Sequence, residues 1–287
     1  MNIRSLSKIT PLLLVILLDS MGMGLLIPIL TAIMILPGHH NIATHFSPHL
    51  REMYYGLIMS VYMVTWFLSA SILGDLSDQI GRKRVLVACL SAAVVSYALT
   101  GVATDINSIL LLIIGRVIGG MASGSQAIAQ AAIVDISDPH NKAHHLGLII
   151  MISSLGYIAG PILGGLLSNP QLAHWLTLSS PLYFASLLSL INVVLLLAFF
   201  KETHLTPKKI QIIWSRSVST VASCFKHKEL RFIALVLTGL MFAWGIYYSF
   251  ISIFLSENFH FNTSYVAYYL SLLAGGFAIG SGFLAGQ

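Results

Sequence analysis

Apolar residues in this chain come in long unbroken runs separated by short polar stretches. They follow neither the alternation of a half-buried strand nor the stripe of a surface helix. Eight runs reach the length of roughly 20 residues that a helix needs to cross a hydrocarbon core. They cover residues 10–36, 54–73, 85–103, 108–134, 146–168, 181–200, 232–255 and 264–285. Only helices and closed barrels span lipid, and these runs are too long and too uniformly apolar for barrel strands. The pattern predicts an all-α integral membrane protein of eight spans.

Composition agrees. Hydrophobic residues make up 56% of the chain, charged ones 9%, and the mean hydropathy is +0.86. Soluble domains carry about 25% charged residues, so this chain cannot cover a water-facing surface. The net charge of +5 does not point to nucleic acid, because the basic residues sit between apolar runs rather than in a patch on a polar body. Of the 15 Lys and Arg residues, all but Arg51 and Arg116 fall on one set of loops. The positive-inside rule therefore puts the amino terminus and the end at Gln287 on the cytoplasmic side. The first run continues past Pro28 without a small-residue cleavage pattern, which reads as a retained anchor. Cys89 in an apolar run and Cys224 in a basic loop are not placed to bridge. His39, His40, His45 and His49 fall in one loop, and His140, His144 and His145 in another, without a fixed ligand spacing. No metal site, no cofactor and no nucleophile–base constellation is expected, so the chain does not read as an enzyme.

The longest polar stretch divides the chain. Residues 1–203 form a six-helix transmembrane domain, 204–230 a central cytoplasmic loop, and 231–287 an incomplete second transmembrane domain of two spans. Within the loop Ile210, Ile213, Val218, Val221 and Phe225 recur at helical spacing among Lys208, Lys209 and Arg216, a pattern that fits a helix lying on the inner leaflet.

Two motifs carry more than topology. After the second span, Gly74, Leu76, Asp78, Gly81, Arg82 and Lys83 occupy a short charged loop whose glycines permit a tight turn. Asp78 and Arg82, four apart, can reach each other. In the fifth span Gly156, Gly160 and Gly164 fall at i, i+4 and i+8, a groove for another helix backbone. Gly147 precedes them, Gly165 follows, and Pro161 removes one helix hydrogen bond.

The first motif resembles the signature between spans two and three of the major facilitator superfamily. The second resembles that of its drug:proton antiporter branch, which includes the tetracycline exporters. Asp19-Ser20-Met21-Gly22-Met23-Gly24 with Pro28 is similar to the first-span pattern of these exporters, and Lys201-Glu202-Thr203 to the end of their sixth span. Arg116-Val117-Ile118-Gly119-Gly120 resembles a fourth-span motif, with Gly119 in place of the usual glutamine. The resemblance implies the major facilitator fold: a complete amino-terminal six-helix bundle plus the first two helices of the second half. It also implies export of a small amphipathic drug-like compound against protons, from a bacterial inner membrane. Family members have twelve spans, so the chain reads as cut after span eight and inactive by itself.

Asp19 and Arg116 lie deep in predicted spans, where an ionised side chain costs at least about 2.5–3.5 kcal/mol. Rise per residue places each roughly 12–15 Å into the membrane, on helices one and four. By the resemblance these helices line the central cavity, and we expect Asp19 to couple protons, with Arg116 as the neighbouring charge. Desolvation and Arg116 act on its proton in opposite senses. The rival expectation is a static ion pair. The resemblance further implies a gating relay of Asp78, Arg82 and Asp135. Gln126, Trp244 and Tyr247, with Trp66, Gln130 and Tyr248, are candidates for substrate contact. Gly276 and Gly280 in span eight form a short notch, which predicts that spans five and eight pack through Gly160 and Gly280. The alternatives are a proton-coupled importer of a sugar or metabolite, against which the Gly160-Pro161 motif argues, and a non-functional fragment.

Overall fold

The computed structural model describes residues 3–35, 46–138, 141–202 and 216–285. Helices run in the order α1 (Ile3–Met34), α2 (Pro48–Ile80), α3 (Arg82–Asp105), α4 (Ile109–Ala122), α5 (Ser125–Asp135), α6 (Lys142–Leu167), α7 (Ser180–Phe199), α8 (Arg216–Lys226), α9 (Lys228–Phe259) and α10 (Thr263–Ala285). Among the described residues, seven helical segments are long and apolar enough to cross a membrane, α4 and α5 together forming one of them. The eighth expected span is the helix α10, of 23 residues. The expected residues His39, His40, His45, His140, Thr203, Lys208, Lys209, Ile210, Ile213 and Gln287 lie outside the described residues.

Local chemistry sets several helix starts. Pro48 and Pro181 stand in the first turns of α2 and α7, where a missing N–H costs nothing. Ser108 caps α4 by accepting from the Leu111 N–H at 3.3 Å. Of the stretch expected as a central loop, the described part contains the helix α8, Arg216–Lys226.

α1 is the central post. In its apolar window 72% of residues are buried against other helices, compared with 11% in α2 and 0% in α9. The core has two apolar layers. One gathers Leu25–Met34 of α1 with Tyr55, Ile58, Leu112, Leu182 and Val266. The other gathers Ile9, Leu12, Val15 and Ile16 with Leu86, Ile128, Ile133 and Phe200. The α1 segment left between the two layers contains Asp19.

α6 lies along α1. A Cβ on Gly156 would meet Leu17 O at 2.8 Å, one on Gly160 would run into Met21 O, and one on Gly164 would meet Leu25 O at 2.9 Å. In return the Pro161 ring fills the space beside Gly24 of α1. The i, i+4, i+8 row thus receives the backbone of α1, and close approach of two helices without intervening side chains follows.

This corrects the expected pairing of Gly160 with Gly280. Spans five and eight do pack, but Gly160 is occupied by α1, and no atom lies within 4 Å of a Cβ placed on Gly276 or Gly280. The α6–α10 contact uses the next face. Gly165 faces Ala267, and Ser271 Oγ donates to Ile158 O at 3.2 Å. Gly160 and Gly165 are five residues apart, about 140° around a helix of 3.6 residues per turn, so one helix serves two partners.

Gly160→Val should push α6 off α1 and lower stability by about 1–3 kcal/mol, the range of overpacked cores. Gly280→Val should stay within about 0.5 kcal/mol. Unfolding of the detergent-solubilised protein in denaturant would measure both, and equal effects would contradict this packing.

Candidate functional site

Span four is the element that builds the interior site. Its helix breaks at Ser123-Gly124, between α4 and α5. At the break the Ser125 hydroxyl and the Gln126 N–H of α5 point at α1. Asp19 accepts from Ser125 Oγ at 2.5 Å and from the backbone N–H of Gln126. A carboxylate at a helix start is favoured by the free N–H groups and by the helix dipole. Ser123 is held in turn: Tyr62 Oη lies 2.6 Å from Ser123 Oγ, which donates to Gly119 O at 2.9 Å.

Arg116 is buried, with 3% of its surface exposed. Its guanidinium donates to Thr100 Oγ1 at 3.2 Å and stands 5.5 Å from the centre of the Tyr62 ring, a cation–π contact. Arg116 Nε has no hydrogen-bond partner. Asp19 and Arg116 line the same small cavity of about 20 Å³, with Tyr62, Ser96, Tyr97 and Ser123. That volume holds one water. No ion pair joins the two residues; the contacts each makes are with neutral neighbours.

Beside this cavity a larger cleft of about 560 Å³ opens between α2, the Ser123 junction, α5 and α8. Three of the expected contact residues, Trp66, Gln126 and Gln130, line it together. Trp244 and Tyr247 do not join them. Trp244 stacks on Tyr248 of α9 at 6.1 Å, and Tyr247 Oη is 2.5 Å from Tyr269 Oη of α10.

At the face that carries Arg82–Arg84, Arg82 sits between two carboxylates. Arg82 Nη2 is 3.3 Å from Asp78 and Nε is 2.6 Å from Asp135 at the end of α5. Gly81 has φ 108°, in the left-handed region that favours glycine, which explains that motif position. A Cβ there would also strike the Glu202 carboxylate. Glu202 caps α3, accepting from the N–H groups of Arg82 at 2.8 Å and Lys83 at 3.1 Å. Lys83 Nζ donates to Leu197 O at 2.9 Å, a second tie from the loop to the end of α7. Gly74 and Gly147 have open space where a Cβ would stand. Ser125, Tyr62 and Thr100 were not singled out from sequence, and Glu202 was noted only as part of Lys201-Glu202-Thr203, without a role. Only Ser123-Gly124, a small pair inside an apolar run, signals the break that orients Ser125.

Comparison with known proteins decides the family. A model described as Major Facilitator Superfamily matches residues 12–287. The chain belongs to the major facilitator superfamily. It is 33% identical over 188 residues to the tetracycline resistance protein, class C, of Escherichia coli, covering 65% of this chain and 43% of that protein. To the class H protein of Pasteurella multocida it is 31% identical over 227 residues, 77% of this chain and 52% of that one. The chain thus spans about half the length of the curated relatives it matches. Among solved structures, the human organic anion transporter MFSD10 (TETRAN) aligns with a TM-score of 0.70 at 20% identity, over 97% of this chain and 71% of that one. A bacterial homolog of the human lysosomal transporter Spinster, inward-facing and unoccupied, aligns at 0.74 and 18%, over 98% and 62%. At these identities the two structures show the shared fold of this superfamily member. The protein is a multi-pass membrane protein.

Removing the Glu202 cap by Glu202→Ala should cost about 1 kcal/mol, as lost helix caps do, and raise amide exchange at Arg82 and Lys83 about fivefold. Glu202→Gln, which still accepts, should lie between. Unchanged protection in the alanine variant would show that the carboxylate does not hold α3.

Proposed function

We propose that this protein acts in proton-coupled export of a small amphipathic, drug-like compound, as an antiporter of the bacterial inner membrane. In this reading the face bearing Arg82 and the amino terminus are cytoplasmic, in line with the distribution of Lys and Arg. Residues 1–203 act as one transmembrane unit, 204–230 as the central loop, and 231–287 contribute helices of a second unit. The observation that carries the reading is Asp19: a carboxylate in mid-span, without a cationic partner, held by the start of α5 next to a ligand-sized cleft. A carboxylate fixed in a permanent ion pair would have little freedom to exchange its proton. Asp19, held by neutral donors, keeps it.

The other residues take roles around it. Arg116 sets the electrostatic field of the cavity. Asp78, Arg82 and Asp135, in the loop framed by Gly74, Gly81 and Lys83, latch one end of the molecule. Gly147, Gly156, Gly160, Pro161, Gly164 and Gly165 set the course of α6. Gln126 and the aromatic wall beside it receive the substrate, with protons as the counter-flux. The relatives are named for tetracycline resistance, which makes tetracycline the first compound to test.

Everted membrane vesicles bearing the chain test export against the expectation that the chain is inactive by itself. Tetracycline uptake when respiration builds a proton gradient, lost when a protonophore collapses it, supports export by the chain. No uptake supports inactivity of these residues alone. Asp19→Asn should bring uptake to the level of vesicles without the protein, while tetracycline binding persists. Gradient-driven uptake that survives Asp19→Asn would remove Asp19 from the coupling step.

A further inference from the structure

At the end of the bundle opposite Arg82, α6 and α10 leave a further pocket of about 240 Å³ beside the Gly165–Ala267 contact. It shares no lining residue with the cavity at Asp19 or the cleft next to it. We propose that this pocket binds the phosphodiester headgroup of a membrane phospholipid, with the acyl chains lying along the outer faces of α6 and α10.

Hydrogen bonding sets the character of the polar edge. Asn169 Oδ1 accepts from the Gln171 N–H at 3.0 Å, and Asn262 Oδ1 accepts from the Tyr265 N–H at 3.0 Å. These bonds fix both amides, because a flipped amide would set N–H against N–H. Each Asn then has its Nδ2, a donor, left to offer the pocket. The Gln171 amide and the Ser264 hydroxyl, which also donate, complete the edge. A phosphodiester carries acceptors and a negative charge, so it matches such an edge. Hydrogen bonds to a charged acceptor are roughly twice as strong as neutral ones.

Depth and size select a lipid. Below the edge the lining turns apolar, through Ile162, Leu166 and Ala267. Leu155, Ile162 and Leu166 stand within about 40° of one another around α6, and Tyr265, Tyr268 and Leu272 within about 60° around α10. Leu155, Leu166 and the three α10 residues are exposed, so an apolar track leaves the pocket along each helix. Tyr265 and Tyr268, with the exposed Trp175 in the connection to α7, are of the residue types that mark headgroup level in membrane proteins. The volume is below the range of about 300–1,000 Å³ for pockets that enclose whole small molecules. It suits a headgroup whose chains stay outside.

Binding here depends neither on Asp19 nor on transport, and the test uses neither. The detergent-solubilised 287-residue chain is titrated with dimyristoylphosphatidylglycerol, and bound lipid is read by native mass spectrometry. An Asp at 169 or 262 keeps the acceptor for the backbone N–H and replaces the donor by a carboxylate that repels phosphate. Asn169→Asp and Asn262→Asp should each weaken the tightest-bound lipid by about tenfold, as should Gln171→Glu on the exposed connection, where no helix cap is involved. Asn107→Asp, exposed at the same end of the bundle, should change it by no more than about twofold. Dimyristoylglycerol, which has the chains without the phosphate, should bind about tenfold more weakly. Glycerol phosphate, which lacks the chains, should not displace the lipid. Unchanged affinity in all three acidic variants would place the lipid elsewhere and overturn the proposal. A comparable loss in Asn107→Asp would reduce the effect to the charge of the whole face and overturn it as well. Equal affinity for dimyristoylglycerol would overturn phosphate recognition, and displacement by glycerol phosphate would make the pocket a site for a free anion. Thermal melts followed by far-ultraviolet circular dichroism should coincide for all variants, so that a loss reads as binding.

Discussion

The close approach of α1 and α6 is the contact on which the interior depends. It exists because Gly156, Gly160 and Gly164 present no side chains where the α1 backbone passes, at Leu17, Met21 and Leu25. Asp19 lies within that stretch of α1. A helix held at this distance along about two turns has little freedom to rotate, so the direction of the Asp19 side chain is set by packing two residues to either side. In lipid no hydrophobic force brings helices together, and backbone proximity of this kind is a main source of association. The charge at mid-span is thus positioned by residues that carry no charge.

The site also shows how such a charge is tolerated. Two interior ionisable groups, Asp19 half-buried and Arg116 buried, line one cavity without pairing. Asp19 draws on Ser125 and on the first turn of α5, and Arg116 on Thr100 and the Tyr62 ring. The apolar layers lie above and below the site, and in such surroundings an unpartnered atom such as Arg116 Nε is costly.

Much of this was legible in the sequence, for physical reasons that also mark where legibility ended. Span number and position follow from run length, because the hydrocarbon thickness fixes it. The groove of α6 follows from the period of its glycines. Its partner does not: the same row would accept α1 or α10, and only the assembled bundle shows that α1 takes it and leaves Gly280 open. Periodicity reveals that a helix has a flat face and says nothing about which helix lies on it. The role of Glu202, named only as part of Lys201-Glu202-Thr203, was hidden for a similar reason. Its function is to accept from Arg82 and Lys83, more than a hundred residues earlier in the chain, and no local pattern marks a cap supplied from so far away. Trp244 and Tyr247 were chosen by residue type alone, and the structure turns them to Tyr248 and Tyr269 instead of the cleft.

α5 ties these features to one another. Its first residue holds Asp19, its last residue, Asp135, holds Arg82, and Gln126 and Gln130 face the cleft between them. Eleven residues make a rod of about 16 Å. Its dipole places partial positive charge at the Asp19 end and partial negative charge at the Arg82 end, so both contacts favour the same rod in the same orientation. The break at Ser123-Gly124 separates this rod from α4, which is anchored through Arg116 and the Ser96–Gly115 hydrogen bond. The interruption of span four thus gives the interior carboxylate a helix start of its own and sets the other end of the same short helix at the basic face.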